Sequence, residues 1–287
     1  MRLVTFQPRG QAPRLGAIYG ELVIDLNAAS NGQLPADMRT FLTRGPYAFE
    51  TARMTCQNPR SPYLLDRVSL LAPIPNPSKI IAIGLNYMDH CREQGHTPPE
   101  RPIIFAKFTT AIIGPDAAIR WSPQLTRQVD YEAELAVVIG KTARHVSAGQ
   151  ALDFVAGYTC CNDVSARDLQ FSDGQWIRGK SLDTFCPLGP WLVTPDKVPN
   201  PQSLAIKSIL NDQVMQDSNT NEMIFDIATL IEFASRAFTL LPGDVLITGT
   251  PHGVGVFRDP KVFMKSGDKI TIEIEKIGQL TNNCVIE

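Results

Sequence analysis

The chain has 287 residues, 44% of them apolar and 20% charged, with 27 basic against 29 acidic residues and a net charge of -2. That balance leaves no electrostatic footprint for nucleic acid or an anionic membrane, and no apolar run approaches the roughly 18 residues of a membrane helix. The length suits one large domain and a small one, and six cysteines without CxxC spacing, with no secretory apolar segment behind Met1, read as a protein of the reducing cytoplasm.

Residues 2–7, 14–19 and 21–26 read as short strands, the last two joined by a turn at Tyr19-Gly20-Glu21. Residues 37–44 and 47–54 read as helices, and nothing before residue 70 carries obvious chemistry. Pro73, Pro75 and Pro77 stiffen an extended stretch. The boundary falls there, giving a small N-terminal α+β domain over 1–72 and a larger one over 73–287. Ser78 to Gly84 opens the second domain as a buried strand.

Gly84 to Gly95 follows, with Asn86 or Asp89 placed to cap a short helix and Gly95 to end it. His90 and Glu93 are three apart and share a face. A carboxylate beside an imidazole fixes its tautomer and makes it a better base, although a solvated helix carries such pairs by chance as well. Lys107 interrupts the apolar run Pro102–Thr110; it either snorkels to solvent or faces an anionic ligand.

Val129 to Gly140 is the most informative stretch. It reads as a strand on which Glu132 and Glu134, about 7 Å apart, share one face. Ala136 and Val138 continue that face, so it turns apolar rather than staying wet. Two carboxylates there repel each other and lose solvation unless a cation compensates. Asp163 ends the next apolar run, Phe154–Asn162, and side-by-side strands bring all three carboxylates together. Such an oxygen-only set suits Mg²⁺ or Mn²⁺, with Ca²⁺ possible, better than Zn²⁺.

Asp163 to Gln170 reads as a turn entering a short helix that places Arg167 and Gln170 on one face, and Gln175 to Phe185 as a loop and edge segment carrying Lys180. Phe225 to Leu240 has helical spacing. The glycine-rich Gly249–Gly255 follows a short strand, but it lacks GxGxxG and GK[ST]. It reads as close backbone approach to a small ligand, with the Thr250 hydroxyl as a donor.

GLNYMDHCREQG, DYEAELAVVIGK, GYTCCNDVSARDLQ, RGKSLDTFCPLGPWLV and ITGTPHGVG together resemble the fumarylacetoacetate hydrolase superfamily over about Ile80–Val285. The resemblance implies a mixed α+β, β-rich fold with a rolled mixed sheet, a homodimer, and a divalent cation held by Glu132, Glu134 and Asp163. It makes His90 and Glu93 the water-activating pair on a lid and Lys180 the group that meets developing negative charge. Arg167, Gln170, Thr250 and Lys107 fall at pocket positions. Leu85 and Phe108 depart from the arginine and the small residue or proline found there in related members.

Family substrates are small 2-oxo or 1,3-dicarbonyl acids reacting through an enolate. Hydrolysis of a C–C bond in an acylpyruvate-like acid is the first expectation. Oxaloacetate decarboxylation or tautomerisation, or isomerase or hydratase chemistry on 2-oxo acids of aromatic catabolism, is the alternative. A non-catalytic acid-binding protein fits less well with an intact lid pair and lysine. A glycosidase does not suit two carboxylates on one strand face, and GxSxG is missing.

Overall fold

The computed structural model describes residues 1–57, 59–60 and 62–287. β-Branched and apolar side chains pack densely along Ala133–Ile139 and Val155–Asn162, and every residue of both strands is buried. These two strands pair antiparallel, with Ala133 opposite Asn162 and Glu134 opposite Cys161. That register sets Asp163, one residue past its strand, beside the glutamates.

They lie in a twelve-stranded sheet. Val245–Ile247 flanks Ala133–Ile139 on one side and pairs parallel with Ile80–Gly84, which pairs antiparallel with Ile103–Lys107. On the other side Cys186–Val193 joins Val155–Asn162 to Arg2–Pro8 and hence to Arg14–Tyr19 and Leu22–Asp25. The strands of residues 1–72 therefore extend the same sheet. A second sheet contains Gln213–Asn219, Ala205–Leu210, Lys269–Ile274, Gly278–Ile286 and Ile119–Trp121.

Alternation along Ala133–Ile139 divides the core. Leu135, Val137 and Ile139 pack with Ile206, Ile270 and Ile272 of the second sheet. Ala136 and Val138 pack on the opposite face with Leu15, Phe41 and Leu42. The face shared by Glu134, Ala136 and Val138 is thus dry along its length, as the sequence pattern indicates. The fold is mixed α+β and sheet-rich.

Local boundaries differ in instructive ways. Met38–Thr43 forms with Asp37 as N-cap, but Gly45–Gln57 runs longer than its apolar spacing suggests. The helix read over Phe225–Leu240 contracts to Ile227–Ala237, because Asp226 caps it through the Thr229 N–H. Met88–Gln94 ends as expected on Gly95 at φ +66°, yet neither Asn86 nor Asp89 is its N-cap. Tyr87 holds that position, while Asn86 is spent bridging Phe225 and Thr248. Within the segment read as a loop, Ile177–Lys180 forms a helical turn. Among the described residues, no helix is long and apolar enough to cross a membrane.

Candidate active site

Glu132, Glu134 and Asp163 each offer an oxygen atom within 4.8 Å of the others, and all three side chains are buried. The site sits where the two central strands end, so its precision derives from their register rather than from a loop.

Three cations are buried with them. Lys180 donates to Glu132 Oε2 at 2.7 Å and to Asp163 Oδ2 at 2.8 Å. Lys107 donates to Asp163 Oδ1 at 2.5 Å and also to the Lys180 carbonyl. Arg167 donates from Nε to Asp130 Oδ2 at 2.8 Å and from Nη1 to Gln170 Oε1 at 2.9 Å, and Nη1 lies 2.7 Å from Glu132 Oε1. Asp130 completes the set; it also accepts from the Gly255 and Val256 N–H groups.

Four buried carboxylates thus face three buried cations, leaving one negative charge uncompensated. The charge imbalance concentrates on Glu134. Burial, then Asp163 and Glu132, push its carboxyl well above the usual carboxylate range, and among the described residues only the Gly249 N–H at 2.8 Å donates to it. Burial pushes Glu132 up too, but Lys180 and Arg167 outweigh that and bring it down to about 2. A hard divalent cation fits this centre: the donors are all oxygen, they converge, and the added charge relieves Glu134 while leaving a surplus for an anionic ligand.

His90 and Glu93 stand on the helix Met88–Gln94. His90 is 5% exposed, and its Nδ1 lies 2.8 Å from Glu93 Oε2. Glu93 Oε1 accepts from the Gly253 N–H at 2.8 Å, which fixes the carboxylate. Assigning the Nδ1 proton to that hydrogen bond leaves the lone pair on Nε2. A second clamp holds the same helix: Asp89 Oδ2 lies 2.9 Å from His252 Nδ1 and also accepts from Ser218 Oγ.

His90, Glu132, Arg167, Gln170, Lys180 and Thr250 line one cavity of about 200 Å³. Its remaining wall is largely apolar and includes Trp176. Trp176 packs edge-on against Phe105 at 5.3 Å between centroids, and against Gly84, where a Cβ would come within 2.3 Å of the indole. Glu93 stands behind His90, and Lys107 behind Asp163; neither lines the cavity. The Thr250 hydroxyl lines it but donates to the Ala133 carbonyl at 3.0 Å and accepts from Gln216 Nε2 at 2.8 Å. The loop glycines serve internal packing: a Cβ at Gly253 would meet the Met215 carbonyl at 2.4 Å, and one at Gly255 the Val262 carbonyl at 1.8 Å. A cavity of about 240 Å³ beside Gly45–Gln57 contains Arg53, Lys141 and Asp153 but no convergent carboxylates, so the chemistry belongs to the former.

Sequence reasoning gave Asp130, His252, Gln94 and Trp176 no role, and Asp89 only that of a candidate cap. Asp130 carried a signal, since it continues the every-second-residue acidic series of Glu132 and Glu134. The partners of Asp89 lie more than a hundred residues away, and no local pattern marks them.

A convergent carboxylate centre beside an imidazole–carboxylate pair and a buried lysine makes this the candidate active site of an enzyme. The family model for the fumarylacetoacetate (FAA) hydrolase C-terminal region matches residues 79–285, and the chain belongs to that family. It is 48% identical to a Xenopus laevis protein named oxaloacetate tautomerase fahd2, mitochondrial, over 99% of this chain and 90% of that protein. Among solved structures it matches a putative HpcE protein from Mycobacterium smegmatis, with a TM-score of 0.90 and 36% identity over 100% of this chain and 99% of that one. It also matches maleylpyruvate hydrolase from Sphingobium sp. SYK-6 in complex with manganese(II) ion and pyruvate, with a TM-score of 0.81 and 33% identity over 99% of both chains.

Proposed function

We propose that this enzyme interconverts the keto and enol forms of oxaloacetate or a closely similar 2-oxo dicarboxylic acid, with Mg²⁺ or Mn²⁺ as cofactor. One observation carries the reading: the His90–Glu93 pair, closed at 2.8 Å, opens on the same small cavity as Glu132 and Lys180. The name of the 48%-identical relative supports the choice of substrate. So does the cavity, which falls below the range of about 300–1,000 Å³ usual for drug-sized ligands.

Glu132, Glu134 and Asp163 would hold the cation, which supplies Lewis-acid stabilisation of an enolate when bound. His90 Nε2 takes a proton from C3, and Glu93 holds the Nδ1 proton in place and stabilises the imidazolium that results. Lys180 has three N–H donors and uses two on Glu132 and Asp163. The third meets the charge that develops on the C2 oxygen and gives that oxygen its proton, and the proton held on His90 passes through solvent to restore Lys180, so one proton leaves C3 and one arrives at the C2 oxygen. The reverse steps return the ketone, so atoms balance without a further reactant.

C–C bond hydrolysis, the first expectation from sequence, uses the same groups with water as the substrate of His90. The maleylpyruvate hydrolase match favours keeping it as the second reading. All six cysteines are free, which suits a reducing cytoplasm and equally the mitochondrion named for the Xenopus relative. The homodimer implied by the resemblance is tested by light scattering.

The deciding experiment follows oxaloacetate by proton NMR in D₂O with Mn²⁺ or Mg²⁺, using Glu132→Ala as the control. Metal-dependent C3 deuteration and enol–ketone relaxation, lost in the control, are expected. No acceleration over metal alone overturns the tautomerase reading. Cleavage products from an acylpyruvate under the same conditions establish the hydrolytic one.

A further inference from the structure

Buried hydrogen-bonding groups are almost always paired, so an unpaired one inside a cavity shows where a ligand must supply the partner. Among the described residues, two side chains lining the active cavity carry a buried nitrogen without a partner: Gln94 Nε2 and Arg167 Nη2. Both are donors. Both therefore call for an acceptor, and the Arg167 charge calls for an anionic one.

The Arg167 side chain is not free to turn away. Arg167 is 3% exposed, and its Nε and Nη1 are held by Asp130, Gln170 and Glu132, which leaves Nη2 as its one uncommitted nitrogen. Gln94 closes the last turn of the helix Met88–Gln94, whose position is fixed through Glu93 on Gly253 and Asp89 on His252. Gln94 follows His90 by four residues, so the two lie on one helix face with Cβ atoms about 5–6 Å apart. A ligand whose reacting carbon meets His90 reaches Gln94 with the group one or two atoms further along.

We propose that Gln94 and Arg167 form a subsite for the distal carboxylate of a dicarboxylic 2-oxo acid, with Gln94 as a specificity-determining residue. This rests on the 2-oxo acid reading above and deepens it. The carboxylate at the far end accepts from Gln94 Nε2 and Arg167 Nη2, while the oxo-acid end lies toward Glu132, Glu134 and Asp163. A monocarboxylic analogue leaves both donors buried and unpaired, and is rejected for that reason.

The test measures binding, with no turnover required. Calorimetry on the Mn²⁺-loaded protein compares malate, which has a distal carboxylate, with oxalate, which has none. Gln94→Met is expected to weaken malate by about tenfold or more and oxalate by less than about twofold. Gln94→Glu, which sets a like charge against the distal carboxylate, is expected to weaken malate further still. Circular dichroism checks that both variants fold. An equal loss on both ligands, or no loss on malate in either variant, overturns the subsite. Failure of the wild type to tautomerise oxaloacetate while the malate–oxalate split persists overturns the activity but not the subsite. Tautomerisation without the split does the opposite.

Discussion

Lys107 and Asp163 form a fully buried ion pair, Nζ to Oδ1 at 2.5 Å, with neither side chain exposed. Because Lys107 also donates to the Lys180 carbonyl, it positions a candidate cation ligand and the backbone of the proposed catalytic lysine together. Lys107→Met leaves a buried carboxylate short of one partner. Its expected effect is a loss of about 3–5 kcal/mol in unfolding free energy, read from urea denaturation.

The His90–Glu93 pair allows a cleaner separation of chemistry from cation binding. His90→Gln and Glu93→Gln are expected to lower kcat on oxaloacetate on the order of 10²–10⁴. Neither residue belongs to the convergent carboxylates, so calorimetric Mn²⁺ affinity is expected to stay within about twofold. A parallel loss of cation affinity would argue against the division of roles.

The pairing of Asp89 with His252 fastens the same helix to the glycine-rich loop, and His252 is about half exposed. Asp89→Asn and His252→Ala each loosen one clamp while Glu93 still holds the other. Each is expected to raise KM for oxaloacetate by roughly three- to tenfold, more than it lowers kcat. The double variant is expected to fall short of the product of the two single effects, because the Asp89–His252 contact is lost in both. Steady-state kinetics on the three proteins check this.

Alkaline pH tests the core. Burial pushes the thiols of Cys56 and Cys284 up to about 11 and about 12, and the Tyr158 phenol up to about 12. The folded pKa values exceed the unfolded ones, so their stabilisation is complete below about pH 8.5 for the thiols and about pH 10 for the phenol. It is lost as pH rises through the folded values, because the unfolded chain releases its protons first. Melting temperature is expected to hold to about pH 8.5 and then fall. Tyr158→Phe is expected to flatten the upper part of that fall, as scanning calorimetry would record.

The convergence of the three carboxylates was legible because strand alternation is a short-range rule. Residues two apart share a face, Ala136 and Val138 show that this face is dry, and antiparallel pairing with Val155–Asn162 delivers Asp163. The dyad was legible for the same reason, at helical spacing. Lys180 was visible through the resemblance, but its local structure was misread, because a four-residue turn leaves no periodicity to detect. What stayed hidden depends on distant chain segments meeting. Asn86 looks like a cap until Phe225 and Thr248 claim it, and the loop glycines look ligand-facing until Met215 and Val262 close on them. The run of strands up to residue 72 gives no hint of its docking edge, since the partner of Arg2–Pro8 is Cys186–Val193.

The indole in the cavity wall gives the protein an optical reporter of its own. Of its three tryptophans, Trp121 is packed in the core, and Trp191 lies under Arg2 with its N–H on the Ile277 carbonyl. Trp176 alone lines the cavity. Emission excited at the indole band should therefore respond to occupancy through one fluorophore against a steady background from two. A titration with malate or oxalate can then be followed in unlabelled protein, and Trp176→Phe silences the signal.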